Sequence, residues 1–169
     1  MTTRSSSATP DAASGKKKRK QPVSTVHRTL SYLRDRGALA DIVERRLTGF
    51  VKKDLFGFAD VLAVVPGVPG AVLLQVTVVG KAQEHLRAYA MDESVRANIQ
   101  TVLRAGNRIG LIAWGKRLRA DRRRTRAPQA ERARATRWVP QLYVITYGAG
   151  GMSVRGPVPL TSPTLEEFW

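Results

Sequence analysis

The fold is decided by residues 58–79, which read FADVLAVVPGVPGAVLLQVTVV. Two runs rich in β-branched residues, 61–65 and 71–79, have the length of strands. The segment 66–70 between them contains two prolines and two glycines, which is typical of a turn. These features predict a β-hairpin.

The second strand of this hairpin carries two polar side chains. Because side chains alternate along a strand, Gln75 and Thr77 lie on the same face of an otherwise apolar run. Burying an amide and a hydroxyl without partners costs on the order of 1–3 kcal/mol each. Asp60, which opens the first strand, is the expected neighbour across the hairpin. Its carboxylate would need hydrogen-bond donors, a metal ion or open solvent.

The spacing of apolar residues predicts the elements around the hairpin. Their order predicts a single α/β (α+β) domain with a mixed central sheet and flanking helices. In chain order, we predict a helix from Ser24 or Thr25 to Gly37, a strand at 38–43, the hairpin, helices at 82–89 and 95–103, and strands at 108–114 and 138–147.

The remaining residues of the 169-residue chain are assigned by composition. Residues 1–22 are small, polar and basic, and we predict a disordered basic tail. The domain is expected to span 23–147, with an arginine-rich insertion at 115–137. Residues 148–169 contain many glycines and prolines, and we predict a C-terminal tail.

The positive charge of the chain is concentrated in two segments. The chain has 29 Lys and Arg against 13 Asp and Glu, a formal net charge of +16. Residues 1–22 hold six basic and one acidic residue, and residues 115–137 hold ten basic and two acidic residues. Such segments favour binding to nucleic acid through phosphate contacts. The candidates are Lys16, Lys17, Lys18, Arg19, Lys20, Lys116, Arg117, Arg119, Arg122, Arg123, Arg124 and Arg126.

Several classes of protein are excluded or disfavoured. The chain has no cysteine, so it has no disulfide framework and no thiolate metal site. It lacks an apolar stretch of about 20 residues and a phosphate-binding glycine loop, which disfavours membrane insertion and a nucleotide cofactor. We therefore expect a soluble cytoplasmic protein of the nucleoid or of a phage-infected cell. The run KKKRK at 16–20 is also compatible with nuclear targeting.

The segment from Lys53 to Asp60, followed by Gln75-Val76-Thr77, resembles the core of the PD-(D/E)XK, or restriction-endonuclease-like, nuclease superfamily. The similarity covers roughly residues 25–115. It is greatest to small Holliday junction resolvases and to related phage-borne nuclease-like proteins. Members of the superfamily carry an Asp that opens one strand and a Glu-x-Lys pair on the next strand of a hairpin.

The resemblance implies a DNA-binding endonuclease that hydrolyses phosphodiester bonds with Mg²⁺ or Mn²⁺, on branched DNA of the Holliday junction type. By position, Asp60 corresponds to the metal-binding carboxylate, Gln75 to the second acidic ligand and Thr77 to the lysine. Glu44 is placed like the acidic residue that precedes the hairpin, so that the implied metal ligands are Asp60, Gln75 and Glu44. Such proteins commonly act as homodimers.

This chain departs from the family pattern at two positions. Gln75 removes a negative charge from the metal site, and Thr77 removes the cation that assists the reaction. Lys81, four residues further on, is a candidate replacement for that cation, and Lys52 and Lys53 are the other candidates. Without catalysis, Asp60 would be a strand-end carboxylate bound by N–H groups, Gln75 and Thr77 a hydrogen-bonding pair, and Glu44 a surface ion-pair partner. The alternative function is then an inactive nuclease fold that binds DNA or RNA through its basic segments.

Overall fold

The computed structural model describes residues 23–43, 45–48, 51–118, 136–161 and 165–169. Within these ranges the chain has an α/β fold, and none of its helices is long and apolar enough to cross a membrane. The elements are α1 (Thr25–Arg34), β1 (Leu39–Ile42), β2 (Arg45–Thr48), β3 (Val51–Lys53), β4 (Val61–Val64), β5 (Val72–Val78), α2 (Ala82–Met91), α3 (Glu93–Arg104), β6 (Arg108–Leu118), β7 (Thr136–Gly148) and β8 (Gly151–Pro159), with short 3-10 helices at Val79–Lys81 and Glu166–Phe168.

Some of the residues singled out in the sequence lie outside the described ranges. They are the segment 1–22 with its basic run Lys16, Lys17, Lys18, Arg19 and Lys20, the acidic residue Glu44, and Arg119, Arg122, Arg123, Arg124 and Arg126 of the arginine-rich insertion.

The main sheet of the described chain has six strands in the order β1-β4-β5-β6-β7-β8. Neighbouring strands are antiparallel except β5 and β6, which are parallel because α2 and α3 form the crossover between them. The predicted hairpin is confirmed as β4 and β5, with Leu62 opposite Leu73. In its turn, a Cβ on Gly70 would lie 2.5 Å from the carbonyl oxygen of Gly106, so this position requires glycine.

The first helix also follows the prediction. Ser24 is the N-cap of α1, and its Oγ accepts a hydrogen bond from the backbone N–H of His27 at 3.3 Å. Leu30 and Leu33 are buried on one side of the helix, and α1 ends three residues before Gly37. The helix therefore covers one face of the sheet with its apolar side.

Strand β5 is buried on both faces. On one face, Val72, Leu74 and Val76 belong to the core that includes α1. On the other face, Leu73 belongs to the core that includes α2 and α3. A strand covered on both sides is expected to be continuously apolar. Gln75, on the α2–α3 face, is therefore a polar residue inside the core.

The described C-terminal residues, 148–161 and 165–169, correct the prediction of a tail, because they pack against the domain. β8 pairs antiparallel with β7, and Leu160, Leu165 and Phe168 are buried in the core that includes α1. The hydroxyl of Tyr32 in α1 donates to the carbonyl oxygen of Leu160 at 3.1 Å. Most side chains of β8 are exposed at the sheet edge, so the strand lacks the apolar alternation that would have identified it.

A hydrogen bond between Trp114 and Thr29 joins β6 to α1. Trp114 Nε1 donates to Thr29 Oγ1 at 2.9 Å, and both residues are buried. Thr29→Val keeps the side-chain shape but removes the acceptor. We expect the free energy of unfolding to fall by about 1–3 kcal/mol, because the indole N–H is left buried without a partner. Urea unfolding measures this, with Thr29→Ser as the control that retains the hydroxyl. An unchanged midpoint for Thr29→Val would contradict it.

Candidate functional site

A tight turn over residues 54–59 places Asp60 at the start of β4. Phe56 and Gly57 both have positive φ, 57° and 81°, a conformation that glycine adopts freely and phenylalanine rarely. The side chain of Asn98 in α3 donates to the carbonyl oxygen of Phe56 at 3.0 Å. The helix behind the sheet therefore helps to hold the turn that positions Asp60.

The backbone of Asp60 is held between two strands. Its N–H donates to the carbonyl oxygen of Leu74 at 3.0 Å, and its carbonyl oxygen accepts from the N–H of Val43 at 2.9 Å. The residue is 7% exposed. These bonds direct its carboxylate toward the middle of β5.

The carboxylate of Asp60 binds two donors from β5. Its Oδ2 accepts a hydrogen bond from Gln75 Nε2 at 2.6 Å and another from the backbone N–H of Val76 at 2.8 Å. Hydrogen bonds to a carboxylate are among the stronger ones in proteins. The predicted proximity of Asp60 and Gln75 is confirmed, and the amide nitrogen of Gln75 is the atom that faces the carboxylate.

Tyr89 of α2 completes this cluster. Its hydroxyl lies 3.2 Å from Gln75 Oε1 and 3.2 Å from the carbonyl oxygen of Phe58, and its single proton is donated to one of them at a time. Burial, together with the negative charges of Asp60 and then Asp54, raises the pKa of Tyr89 far above its ordinary value. Tyr89 is therefore a neutral hydrogen-bond donor at every pH near neutrality.

The other predicted site residues take no part in the hydrogen bonds that join Asp60, Gln75 and Tyr89. Thr77 is 6% exposed and lies two residues beyond Gln75 on the same face of β5. Lys81 is exposed in the 3-10 helix between β5 and α2. Lys116 and Arg117 are exposed near the end of β6. The described part of the insertion therefore continues β6 and β7, and it is not a separate loop from residue 115 onward.

The described residues of the implied metal site, Asp60 and Gln75, are not arranged as ligands of Mg²⁺, and Glu44 lies outside the described residues. Among the described residues, no three His, Asp or Glu side chains come close enough together to hold a metal ion. Mg²⁺ requires oxygen ligands, whereas Asp60 Oδ2 faces the amide nitrogen of Gln75 and the N–H of Val76. The described side chains thus form a hydrogen-bonded cluster of a carboxylate, an amide and a phenol.

Sequence reasoning missed Tyr89 and Asp54 as members of this region. Tyr89 is the last residue of the predicted helix 82–89, and its spacing from Ala82 and Leu86 indicates an apolar helix side rather than a site. A buried tyrosine hydroxyl requires a hydrogen-bond partner, and Gln75 on the facing strand was the polar group that lacked one. Asp54, at the start of the turn, is half-buried, and its negative charge contributes to raising the pKa of Tyr89.

Comparison of the chain with models of protein families, with curated proteins and with solved structures gave no match in any of the three.

The contribution of the Tyr89 hydroxyl to stability is testable. Tyr89→Phe leaves the ring in place and removes the donor to Gln75 Oε1 and the Phe58 carbonyl. We expect a loss of about 1–3 kcal/mol in the free energy of unfolding, because buried acceptors lose their partner. Tyr147→Phe is the control, since the Tyr147 hydroxyl makes no hydrogen bond to a described residue and the side chain is only partly buried. Equal stability of the two variants in urea would refute this role.

Proposed function

We propose that this protein binds DNA and has a nuclease-like site that does not hydrolyse it. The observation that carries this proposal is the hydrogen bond from Gln75 Nε2 to Asp60 Oδ2. An amide donor there satisfies the carboxylate in the place where the resemblance implies a metal ion. The surrounding chain retains a strong attraction for polyanions, with a formal net charge of +16.

The position of the cluster supports the nuclease-like part of the proposal. Asp60 opens β4, and Gln75 and Thr77 lie on the adjoining strand β5. A helix precedes these strands, and two helices follow them on the face where Gln75 lies. This is the arrangement that the resemblance to the PD-(D/E)XK superfamily implies.

The second candidate function is a Mg²⁺- or Mn²⁺-dependent endonuclease acting on duplex or branched DNA. The position of Tyr89 favours this second function, because its hydroxyl can accept a hydrogen bond as well as donate one. The amide of Gln75 could therefore turn over, so that Nε2 donates to Tyr89 and Oε1 faces Asp60. Tyr89 would still donate to Phe58, so both amide orientations leave its hydroxyl with partners.

Cleavage assays separate the two candidates. Labelled linear and branched DNA is incubated with Mg²⁺ or Mn²⁺ and either the wild-type protein or Asp60→Asn. Asparagine keeps an oxygen that accepts from the Val76 N–H, so this variant preserves the local structure better than alanine. We expect both proteins to bind DNA and neither to cut it. Cleavage by the wild type that is lost in Asp60→Asn, with binding retained, would establish the endonuclease.

The salt dependence of binding tests the role of charge. If about six phosphates are neutralised, raising the salt concentration from about 50 to 200 mM should weaken DNA binding by about a thousandfold. Fluorescence anisotropy of a labelled duplex measures the affinity across this range. An affinity that does not change with salt would contradict phosphate-dominated binding.

Gln75→Glu tests whether the cluster has replaced a metal site. The new carboxylate would face Asp60 in place of the amide donor. We expect the free energy of unfolding at neutral pH to fall by at least about 2 kcal/mol, because a hydrogen bond to a charged group is lost and like charges are brought together. The deficit should shrink as the pH falls and one carboxyl group takes up a proton.

Thermal unfolding with and without Mg²⁺ completes this test. We expect Mg²⁺ to raise the Tm of Gln75→Glu and to leave that of the wild type unchanged, because a ligand stabilises only a folded state that binds it. A wild-type Tm that rises with Mg²⁺, and no longer does so in Asp60→Asn, would favour the second candidate.

A further inference from the structure

A tryptophan with two cations around it lies on the α1 face of the sheet. Trp138 of β7 is partly buried against the core that includes α1. The guanidinium carbon of Arg28 in α1 lies 5.1 Å from the centre of the Trp138 rings, and Lys116 Nζ in β6 lies 5.2 Å from it. Cations at these distances are attracted to the electron-rich faces of an indole. The tryptophan therefore brings two positive charges from different elements within about 10 Å of each other.

The strands that carry this group continue into a like-charged pair. Lys116 is opposite Trp138 in the ladder, and the next pair along the strands is Arg117 opposite Arg137. Both arginines are exposed, and like charges directly opposite each other destabilise an antiparallel pair. Because side chains alternate along a strand, Arg117 and Arg137 lie on the opposite side of these strands from Lys116 and Trp138. They are therefore not part of the group around the tryptophan.

The group formed by Arg28, Lys116 and Trp138 and the Asp60 cluster lie on opposite faces of the sheet. Ile112 and Trp114 of β6 belong to the core on the α1 side, and Lys116 follows in the same alternation. Gln75 and Tyr89 lie on the side of α2 and α3. A ligand held by Arg28 and Lys116 is therefore bound by a surface separate from the Asp60 cluster.

We propose that Arg28 and Lys116 form a binding surface for the phosphate backbone of duplex DNA, with Trp138 as the positioning residue. This inference rests on the proposed DNA-binding function and adds where the duplex is held. The indole would hold Arg28 and Lys116 in place before binding, so that less side-chain freedom is lost.

The test compares charge removal at this surface with charge removal elsewhere. Arg28→Gln, Lys116→Gln and the control Arg87→Gln each remove one positive charge, and Arg87 is an exposed residue of α2 on the other side of the sheet. Affinity for a labelled duplex is measured by anisotropy at several salt concentrations. We expect the first two variants to bind about three- to tenfold more weakly and to lower the slope of log K against log salt by about 0.9 each. Arg87→Gln should resemble the wild type, and Arg28→Lys should recover most of the affinity.

Trp138→Leu tests the positioning role. We expect it to weaken binding in the wild-type background and to have no further effect in the Arg28→Gln, Lys116→Gln double variant, because its effect acts through those two cations. A general loss of stability would weaken binding in both backgrounds, and such an additive effect would refute the positioning role.

Two other outcomes would overturn the inference and are distinguishable from each other. If the wild type binds DNA but Arg28→Gln and Lys116→Gln behave like Arg87→Gln, the surface is wrong and the proposed function stands. If the wild type binds no DNA at any salt concentration, the proposed function fails and this inference fails with it.

Discussion

The burial of β5 on both faces is the constraint on which the rest of this structure depends. Residues 72–77 of this strand, between α1 and the α2–α3 pair, are buried, so a polar side chain among them needs a partner within the protein. The parallel pairing of β5 with β6 requires a crossover, and the crossover places α2 over the face that carries Gln75. Asp60 from the neighbouring strand and Tyr89 from the crossover helix then satisfy the amide from both sides.

The identity of one side chain decides what such a cluster can do. A glutamate at position 75 would oppose Asp60 with a second negative charge, and only a cation or a proton would stabilise the pair. Glutamine has nearly the same shape but supplies a donor, so the carboxylate of Asp60 is satisfied by the protein itself. With glutamate at position 75 the cluster would need a cation or a proton, whereas with glutamine it needs neither.

The sequence predicted the elements whose apolar residues are regularly spaced, and it failed where burial follows from distant contacts. The hairpin, α1 and the pairing of Asp60 with Gln75 were predicted because β-branched runs, an N-cap and strand alternation are local features. The C-terminal strand was missed because β8 is an edge strand with mostly exposed side chains. Tyr89 was missed as a site residue because its partner on β5 lies 14 positions away in the chain, and the pairing depends on how α2 crosses the sheet.

The ladder between β6 and β7 has a consequence for the arginine-rich residues that connect them. Leu118 and Thr136 are paired, so the 17 residues between them are tethered to the sheet at both ends. From the length of an extended chain, none of these residues can reach more than about 30 Å from the ladder. If a polyanion binds to β6 and β7 as proposed, the charges of this segment would act at a high effective concentration, and each further phosphate contact would be an intramolecular event. Weak individual contacts would then add up to avidity.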